Sequence, residues 1–185
     1  MSQRLNRTAG AFASEHESLA AFDEAVDRSG LFRLYREVDG YYVTHRPERE
    51  LSCPRIDRIL VPNAKLRELG WVATIGVEAK RSGAKLGPMV CQALDYSWAI
   101  YRVSDTYLHP EAIFLWPVDR EGIDGETIGH AIESVMTQNR IGYACPAREG
   151  VQFGVGGCWV LSFSSAGVVA RRDIFDRVGR KVGSR

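Results

Sequence analysis

A largely apolar segment, residues 71–77, runs directly into Glu78-Ala79-Lys80, and this junction constrains the fold more than any other part of the sequence. The apolar segment predicts a buried strand. Because residues two apart on a strand share a face, Glu78 and Lys80 must point the same way. The junction therefore predicts a carboxylate and an amine side by side at the end of a strand.

A second acid lies in the preceding strand-like segment, where residues 55–61 alternate around Asp57. If the two strands are adjacent, Asp57 places a second carboxylate beside Glu78. Two hard oxygen ligands suit Mg²⁺ or Mn²⁺, and Lys80 could orient a water or neutralise charge on a phosphate. The spacing is typical of a metal site that cuts nucleic acid. The simpler alternative is that these charges only solvate strand ends, as acids and lysines commonly do.

A helix is predicted after this junction. Gly87-Pro88 favours a helix start, and we expect the helix to cover residues 89–101. Gln92 and Tyr96 lie four positions apart, so they occupy one face of it. The alternative is a packing helix, with Gln92 at its margin and Tyr96 partly buried.

The order of these elements resembles the PD-(D/E)XK nuclease superfamily, and Gln92-x-x-x-Tyr96 resembles the additional motif of its RecB-like branch, which includes Cas4-type and lambda-exonuclease-like enzymes. The resemblance implies an α/β fold with a central mixed β-sheet flanked by helices and a restriction-endonuclease-like core. It implies that Asp57 and Glu78 bind the metal, that Lys80 is the catalytic lysine and that Gln92 acts beside them. The proline usually adjacent to the first acid is displaced, since Pro54 lies three residues before Asp57.

Residues 14–29 predict an amphipathic first helix. By the same resemblance, a glutamate on this helix faces the metals and a histidine can lie upstream. Glu17 is the first candidate and His16 the second. Ser14-x-x-Glu17 is also a capping box, in which Glu17 reaches back to the cap backbone. Both roles stay open for Glu17.

The formal net charge of +1 does not by itself predict a nucleic-acid partner. Local charge says more, because basic residues cluster around both acids. We expect Arg58, Arg81 and Lys85 to contact DNA, with ordinary solvated surface as the alternative for each. The resemblance implies that Tyr96 supports either the DNA or Gln92. His45, in a loop-like stretch, is a further but weaker candidate.

The chain has 185 residues, 45% of them hydrophobic, which suits one compact domain over residues 1–185. We expect residues 1–13 to be flexible and residues 171–185 to form a basic carboxyl-terminal segment. No leading segment resembles a signal peptide, and no apolar run approaches the ~20 residues that cross a bilayer. These features predict a cytoplasmic protein without a membrane partner, and the resemblance is compatible with a homo-oligomer.

The four cysteines, Cys53, Cys91, Cys145 and Cys158, are widely separated and contain no Cys-x-x-Cys pair. Some RecB-like relatives hold an iron–sulfur cluster with three closely spaced cysteines near the carboxyl end. Because this chain lacks that spacing, we expect no iron–sulfur cluster and reduced thiols.

The remaining patterns predict strands at 31–38, 41–44 and 111–118, and a helix at 128–140. A late pairing of 151–153 with 158–163 is expected across the glycine-rich turn 154–157. The expected apolar face of the second long helix consists of Ile128, Ala131, Ile132 and Val135.

The sequence therefore predicts a Mg²⁺-dependent nuclease that hydrolyses DNA, with repair, recombination or phage and mobile-element DNA processing as candidate settings. The chief rival is a nucleic-acid-binding or protein-interaction module on the same fold that does not cut. A second rival is an α/β enzyme of unrelated chemistry. In that case Asp57 and Glu78 would not converge.

Overall fold

The computed structural model describes residues 12–42, 54–81, 84–118 and 130–178. Within these ranges the elements are α1 (Glu15–Ser29), β1 (Phe32–Tyr42), β2 (Arg55–Pro62), α2 (Ala64–Glu68), β3 (Ile75–Ala79), α3 (Leu86–Tyr96), β4 (Ala99–Val103), β5 (Thr106–Leu108), β6 (Ala112–Trp116), α4 (His130–Gln138), β7 (Ile141–Ala147), β8 (Gly150–Val155), β9 (Cys158–Ser164), β10 (Gly167–Ala170) and α5 (Arg172–Arg177).

The described strands form one mixed, open sheet in the order β10-β9-β8-β7-β6-β3-β2-β1-β4-β5. The pairs β3–β6 and β6–β7 are parallel, and their neighbours on either side are antiparallel. Both β3 and β6 are buried at every position, as expected for central strands with helices on both faces. The expected α/β class, with a mixed sheet flanked by helices, is confirmed.

The sheet separates two hydrophobic clusters, and alternation along β6 divides its side chains between them. Phe114 and Trp116 face the cluster beneath α1, whereas Ile113 and Leu115 face the cluster beneath α3. Helix α1 is anchored by Phe22, whose ring centroid lies 5.1 Å from that of Trp116. Two helices thus pack on opposite faces of the same strands.

Several boundaries differ from the sequence prediction, and β1 and α3 differ most. The strands expected at 31–38 and 41–44 are continuous as far as Tyr42 in β1, where Gly40 pairs with Tyr101, and residues 43–44 lie outside the described residues. A Cβ at Gly40 would come within 2.8 Å of the Tyr101 ring. The helix expected to run to residue 101 ends at Tyr96, since Ala99 and Tyr101 are needed in the buried strand β4.

The predicted apolar face of the helix at 128–140 is wrong where it can be checked. In α4, Ile132 and Val135 are each 39% exposed, and Met136 is the residue that packs into the core. The start of that prediction at Ile128 lies outside the described residues.

The late hairpin is confirmed, with β8 and β9 antiparallel across a turn in which Gly156 and Gly157 have positive φ. The sequence patterns did not predict the separate strands β4, β5, β7 and β10. In the described part of the predicted basic segment, α5 packs its buried Phe175 against Trp71, with ring centroids 5.0 Å apart.

Several predictions lie outside the described residues, namely residues 1–11, His45, Cys53 and residues 179–185. Among the described helices, none is both long enough and apolar enough to cross a membrane.

Candidate active site at the end of strand β3

Strand register brings Asp57 and Glu78 together. The antiparallel pairing of β2 with β3 matches Arg58 with Val77 and Ile59 with Gly76. One further step in the same register sets Asp57 opposite Glu78. Directly opposed residues in an antiparallel pair project from the same face and lie close together. The two carboxylates therefore share one face at the carboxyl end of β3.

Asp57 also holds the end of β3 in place. The Ala79 N–H donates a hydrogen bond of 2.7 Å to Oδ2 of Asp57. On the other side of β2, the pairing with β1 is interrupted opposite Asp57 at Glu37, which has a φ of 48°. The Asp57 carboxylate thus takes a backbone donor at the point where the regular ladder stops, which limits its freedom to turn away from Glu78.

Glu78 is the most deeply buried acid described in the chain, with 1% of its surface exposed. Its Oε1 lies 2.5 Å from Nζ of Lys80, while Oε2 is buried without a hydrogen-bond partner among the described residues. Burial raises the pKa of Glu78 to about 7, the charge of Asp57 adds to this, and Lys80 opposes it. A buried acceptor oxygen without a donor costs free energy, so this oxygen is suited to a cation.

Lys80 joins the strand end to the start of α1. Its ammonium contacts Glu78 and lies 3.6 Å from Oε2 of Glu15. Burial lowers the pKa of Lys80, but the hydrogen bond with Glu78 and the charges of Glu78, Glu15 and Asp57 outweigh it, so the net shift is upward. Lys80 therefore stays protonated at neutral pH and can donate hydrogen bonds.

The first helix contributes Glu15 to this region, not the predicted Glu17. The Glu17 N–H donates to Oγ of Ser14 at 3.1 Å, and the Glu17 carboxylate accepts from the Ala13 N–H at 3.0 Å. Both interactions belong to a helix cap, so the tentative metal role of Glu17 gives way to the capping alternative. The second candidate on this helix, His16, is exposed on the first turn.

Glu15 is the site residue that the sequence patterns missed. The capping box in the sequence could have pointed to Glu15. The cap uses the side chain of Glu17, so Glu15 is the glutamate of the first turn that is left to interact elsewhere. The contact between Glu15 and Lys80 depends on how α1 packs across the sheet, which no local pattern predicts.

Gln92 and Tyr96 do lie on one face of α3, as predicted. Gln92 Nε2 donates to the Tyr96 hydroxyl oxygen at 2.5 Å. Burial, and then the charge of Glu78, raise the pKa of Tyr96, which shows that this hydroxyl is near the Glu78 carboxylate. Tyr96 is buried and accepts a hydrogen bond from Gln92, which agrees with the role of supporting Gln92. A contact between Tyr96 and DNA stays a prediction.

The predicted DNA-contacting cations separate into two groups. Arg58 is wrong as a surface contact, because its side chain is only 8% exposed and its Nε lies 2.6 Å from Oδ1 of Asp23. It also donates from Nη1 to the Asp57 carbonyl at 2.7 Å, so it ties β2 to α1. Arg81 and Lys85 are exposed beyond the end of β3 and remain candidates for phosphate contact.

The donor set fits one class of metal better than others. The described residues contain no group of three or more His, Cys, Asp and Glu side chains placed to hold a metal. Mg²⁺ is usually held by one or two carboxylates and keeps several waters. Asp57 and Glu78, with the unpartnered Glu78 Oε2, have that composition.

The described cysteines do not form part of this site as ligands. Cys91 lies exposed on α3, Cys145 is buried in β7 and Cys158 is exposed at the start of β9. They therefore belong to three separate elements.

The chain matches no protein-family model, no curated protein and no solved structure. Its function must therefore be inferred from the geometry of its own residues.

Proposed function

We propose that this protein is a Mg²⁺-dependent nuclease that hydrolyses phosphodiester bonds in DNA, built on a restriction-endonuclease-like core. The observation that carries the proposal is the pairing of Asp57 and Glu78 across β2 and β3, with the Lys80 ammonium 2.5 Å from Glu78. This pairing supports the nuclease over an α/β enzyme of unrelated chemistry, for which no convergence of the two acids is expected.

Asp57 and Glu78 would hold the Mg²⁺, which when bound lowers the pKa of a coordinated water and stabilises charge on the leaving oxygen. Lys80, kept protonated by its acidic neighbours, donates a hydrogen bond to the attacking water or to a phosphate oxygen. Its ammonium is oriented from two sides, by Glu78 and by Glu15. The lysine therefore enters the reaction in a defined position.

Gln92 and the exposed cations bind the substrate in this proposal. Since Gln92 donates through Nε2 to Tyr96, its amide oxygen remains available as an acceptor. Arg81 and Lys85, which are exposed beyond the end of β3, contact DNA phosphates, which makes DNA affinity dependent on salt.

The test compares isosteric variants on four DNA substrates: linear duplex, circular duplex, single-stranded and branched. Asp57→Asn and Glu78→Gln keep the size of each side chain, and the Asn oxygen can still accept from the Ala79 N–H. Both variants and Lys80→Ala should lose cleavage, whereas the cap variant Glu17→Ala should cut like the wild type. Each variant should retain a cooperative unfolding transition.

Mg²⁺-dependent cleavage that survives in Glu78→Gln would overturn the proposal. DNA binding without any Mg²⁺ or Mn²⁺ affinity and without cleavage would instead favour the rival binding module. If cleavage occurs, receding linear ends with intact circles indicate an exonuclease, and nicked circles indicate an endonuclease.

A further inference from the structure

Arg58 is a buried cation that adjoins a proposed metal ligand in the sequence without facing the candidate site. Its side chain is only 8% exposed. Its strand partner Val77 belongs to the cluster beneath α1, so Arg58 projects from that face of the sheet, whereas the adjacent Asp57 projects from the other. Any influence of Arg58 on the site must therefore pass through Asp57.

The guanidinium of Arg58 holds the main chain of Asp57. Its Nη1 donates a hydrogen bond of 2.7 Å to the Asp57 carbonyl oxygen. The regular pairing of β1 with β2 runs on both sides of Asp57 but is interrupted opposite it at Glu37, whose φ is 48°. A side-chain donor thus holds β2 at the point where the strand pairing is broken.

The side chain of Asp57 is held by a different element. Its carboxylate accepts a hydrogen bond of 2.7 Å from the Ala79 N–H in β3. This bond keeps the carboxylate at the end of β3, where Glu78 lies. Because the main chain and the side chain of one residue move together, a shift of the Asp57 carbonyl would also loosen the bond to Ala79.

Asp23 on α1 fixes the guanidinium of Arg58 in turn. Arg58 donates through Nε to Oδ1 of Asp23 at 2.6 Å and through Nη2 to Oδ2 at 3.1 Å. Two bonds of this kind fix the plane of a guanidinium as well as its position. With Nε and Nη2 bound to Asp23, Nη1 is the nitrogen that reaches the Asp57 carbonyl. The single ammonium of a lysine could not reproduce this arrangement.

Helix α1 gives the pair a firm support. Phe22, which precedes Asp23, is fully buried and packs on Trp116 with ring centroids 5.1 Å apart. The Trp116 carbonyl accepts a hydrogen bond of 2.8 Å from the Lys80 N–H. The same packing therefore fixes the helix that holds Arg58 and the main chain of the proposed catalytic lysine.

A buried ion pair contributes little net stability to a fold. Taking two charges out of water costs about as much free energy as their attraction returns, and apolar replacement of such a pair is often neutral or stabilising. Stability alone therefore does not account for Asp23 and Arg58 at this place. A fixed geometry at Asp57 does.

We propose that the Asp23–Arg58 pair is a positioning device for Asp57. Through the Asp57 main chain, the pair keeps the carboxylate on the Ala79 N–H and beside Glu78, so that both acids can bind one Mg²⁺. The part that concerns Mg²⁺ rests on the proposed nuclease function, whereas the positioning of Asp57 does not. Asp23 and Arg58 are positioning residues, since they act through Asp57.

The Ala79 amide reports the position of Asp57 without metal or DNA. Two variants of the intact chain test it: Arg58→Lys, which keeps the charge but not the paired bonds, and the apolar double variant Asp23→Leu/Arg58→Met. In both, two-dimensional NMR should show the Ala79 amide proton shifted upfield and exchanging roughly tenfold faster, because its bond to a carboxylate is loosened. The Val77 amide, in the middle of β3, should keep its exchange rate.

Arg36→Met is the matched control. Arg36 donates to the same carboxylate, with its Nε 2.7 Å from Oδ2 of Asp23, but its other bond goes to Asp27 at 3.1 Å. Its loss should therefore leave the Ala79 amide, the Mg²⁺ dependence and the cleavage rate unchanged.

Mg²⁺ dependence of cleavage gives the second measurement. The Mg²⁺ concentration for half-maximal cleavage should rise roughly tenfold in Arg58→Lys and in the double variant, as is typical when a group that orients a metal ligand is removed. Saturating Mg²⁺ should restore most of the wild-type rate. A general loss of folded protein would lower the rate at every Mg²⁺ concentration instead.

Four outcomes decide between the parts of the proposal. Unchanged Ala79 exchange in both variants would overturn the positioning role, and so would equal changes at Ala79 and Val77, which indicate a general loosening of β3. A loosened Ala79 bond with normal Mg²⁺ dependence would overturn the part that concerns the metal. A wild type that neither binds Mg²⁺ nor cleaves DNA, with faster exchange at Ala79 alone in the variants, would sink the nuclease and support the positioning of Asp57.

Discussion

The two ends of the parallel strands β3 and β6 differ in the balance of their charged side chains. At the carboxyl end, the acids Asp57, Glu78 and Glu15 surround the single ammonium of Lys80. At the amino end, Glu111 is balanced by Arg140 and Arg172. The first arrangement has three carboxyl groups around one ammonium and a buried oxygen without a hydrogen-bond partner among the described residues. In the second, the acid is held in ion pairs by two arginines.

The largest effect that distinguishes the two ends is expected for cleavage. Glu78→Gln should reduce the rate by roughly a thousandfold or more, because a neutral amide cannot replace an anionic metal ligand. Glu111→Gln should leave the rate unchanged. Single-turnover assays with saturating Mg²⁺ measure both cleavage rates. Equal losses of rate in the two variants would show that the two ends do not differ in their role in cleavage.

The second effect is on stability as a function of pH. The folded pKa of Glu78 is raised from 4.5 to about 7, so the folded state holds a proton that the unfolded state releases. The stabilisation that comes from this bound proton is fully present below pH 4.5 and is lost as the pH rises through 7. Through Glu78, the free energy of unfolding of the wild type should be about 3 kcal/mol lower at pH 8 than at pH 4.5.

Urea unfolding of wild type and Glu78→Gln from pH 4.5 to 8 measures this cost. The free energy of unfolding of the wild type should fall relative to that of the variant, and Mg²⁺ should restore it by binding only the folded state. If the free energies of unfolding of the two proteins change in parallel with pH in the absence of Mg²⁺, the pKa of Glu78 is not raised by folding.

The third comparison separates the two glutamates of the first turn of α1. Glu17→Ala should lower the free energy of unfolding by about 1 kcal/mol, through the lost cap, with cleavage intact. Glu15→Ala should leave stability nearly unchanged and slow cleavage roughly two- to threefold, because Lys80 loses one orienting partner. Thermal unfolding and initial rates give both quantities. A loss of stability in Glu15→Ala together with slower cleavage in Glu17→Ala would instead assign the site role to Glu17.

The smallest effect is expected at the amino end. Glu111→Gln should destabilise the fold by about 1 kcal/mol, since its partners Arg140 and Arg172 are partly exposed and water screens the pairs. The loss should shrink in high salt. A loss of several kcal/mol that resists salt would show that Glu111 is chiefly a structural anchor.

Local periodicity accounts for the parts of the candidate site that the sequence predicts. Glu78 and Lys80 share a face because strands repeat every two residues, and Gln92 meets Tyr96 because helices bring positions four apart together. The cap at Ser14 and Glu17 is likewise local. These relations need no knowledge of the rest of the chain.

The sequence predictions that the structure contradicts have a different cause. Gly40 lies within a strand and pairs with Tyr101, although Asp39-Gly40 has the composition of a turn. Arg58 has the sequence context of a surface cation, yet Asp23 on α1 draws it beneath the helix. In both cases a partner far along the chain overrides the local preference.

The sequence by itself determined which side chains share a face on β3 and on α3, because backbone geometry alone sets those repeats. Only the tertiary structure decided that Asp57 lies opposite Glu78, that Glu15 reaches Lys80 and that Asp23 pairs with Arg58. Each of these contacts joins separate elements. Strand order and helix packing across the whole sheet determine them, and these follow from burying the core as a unit.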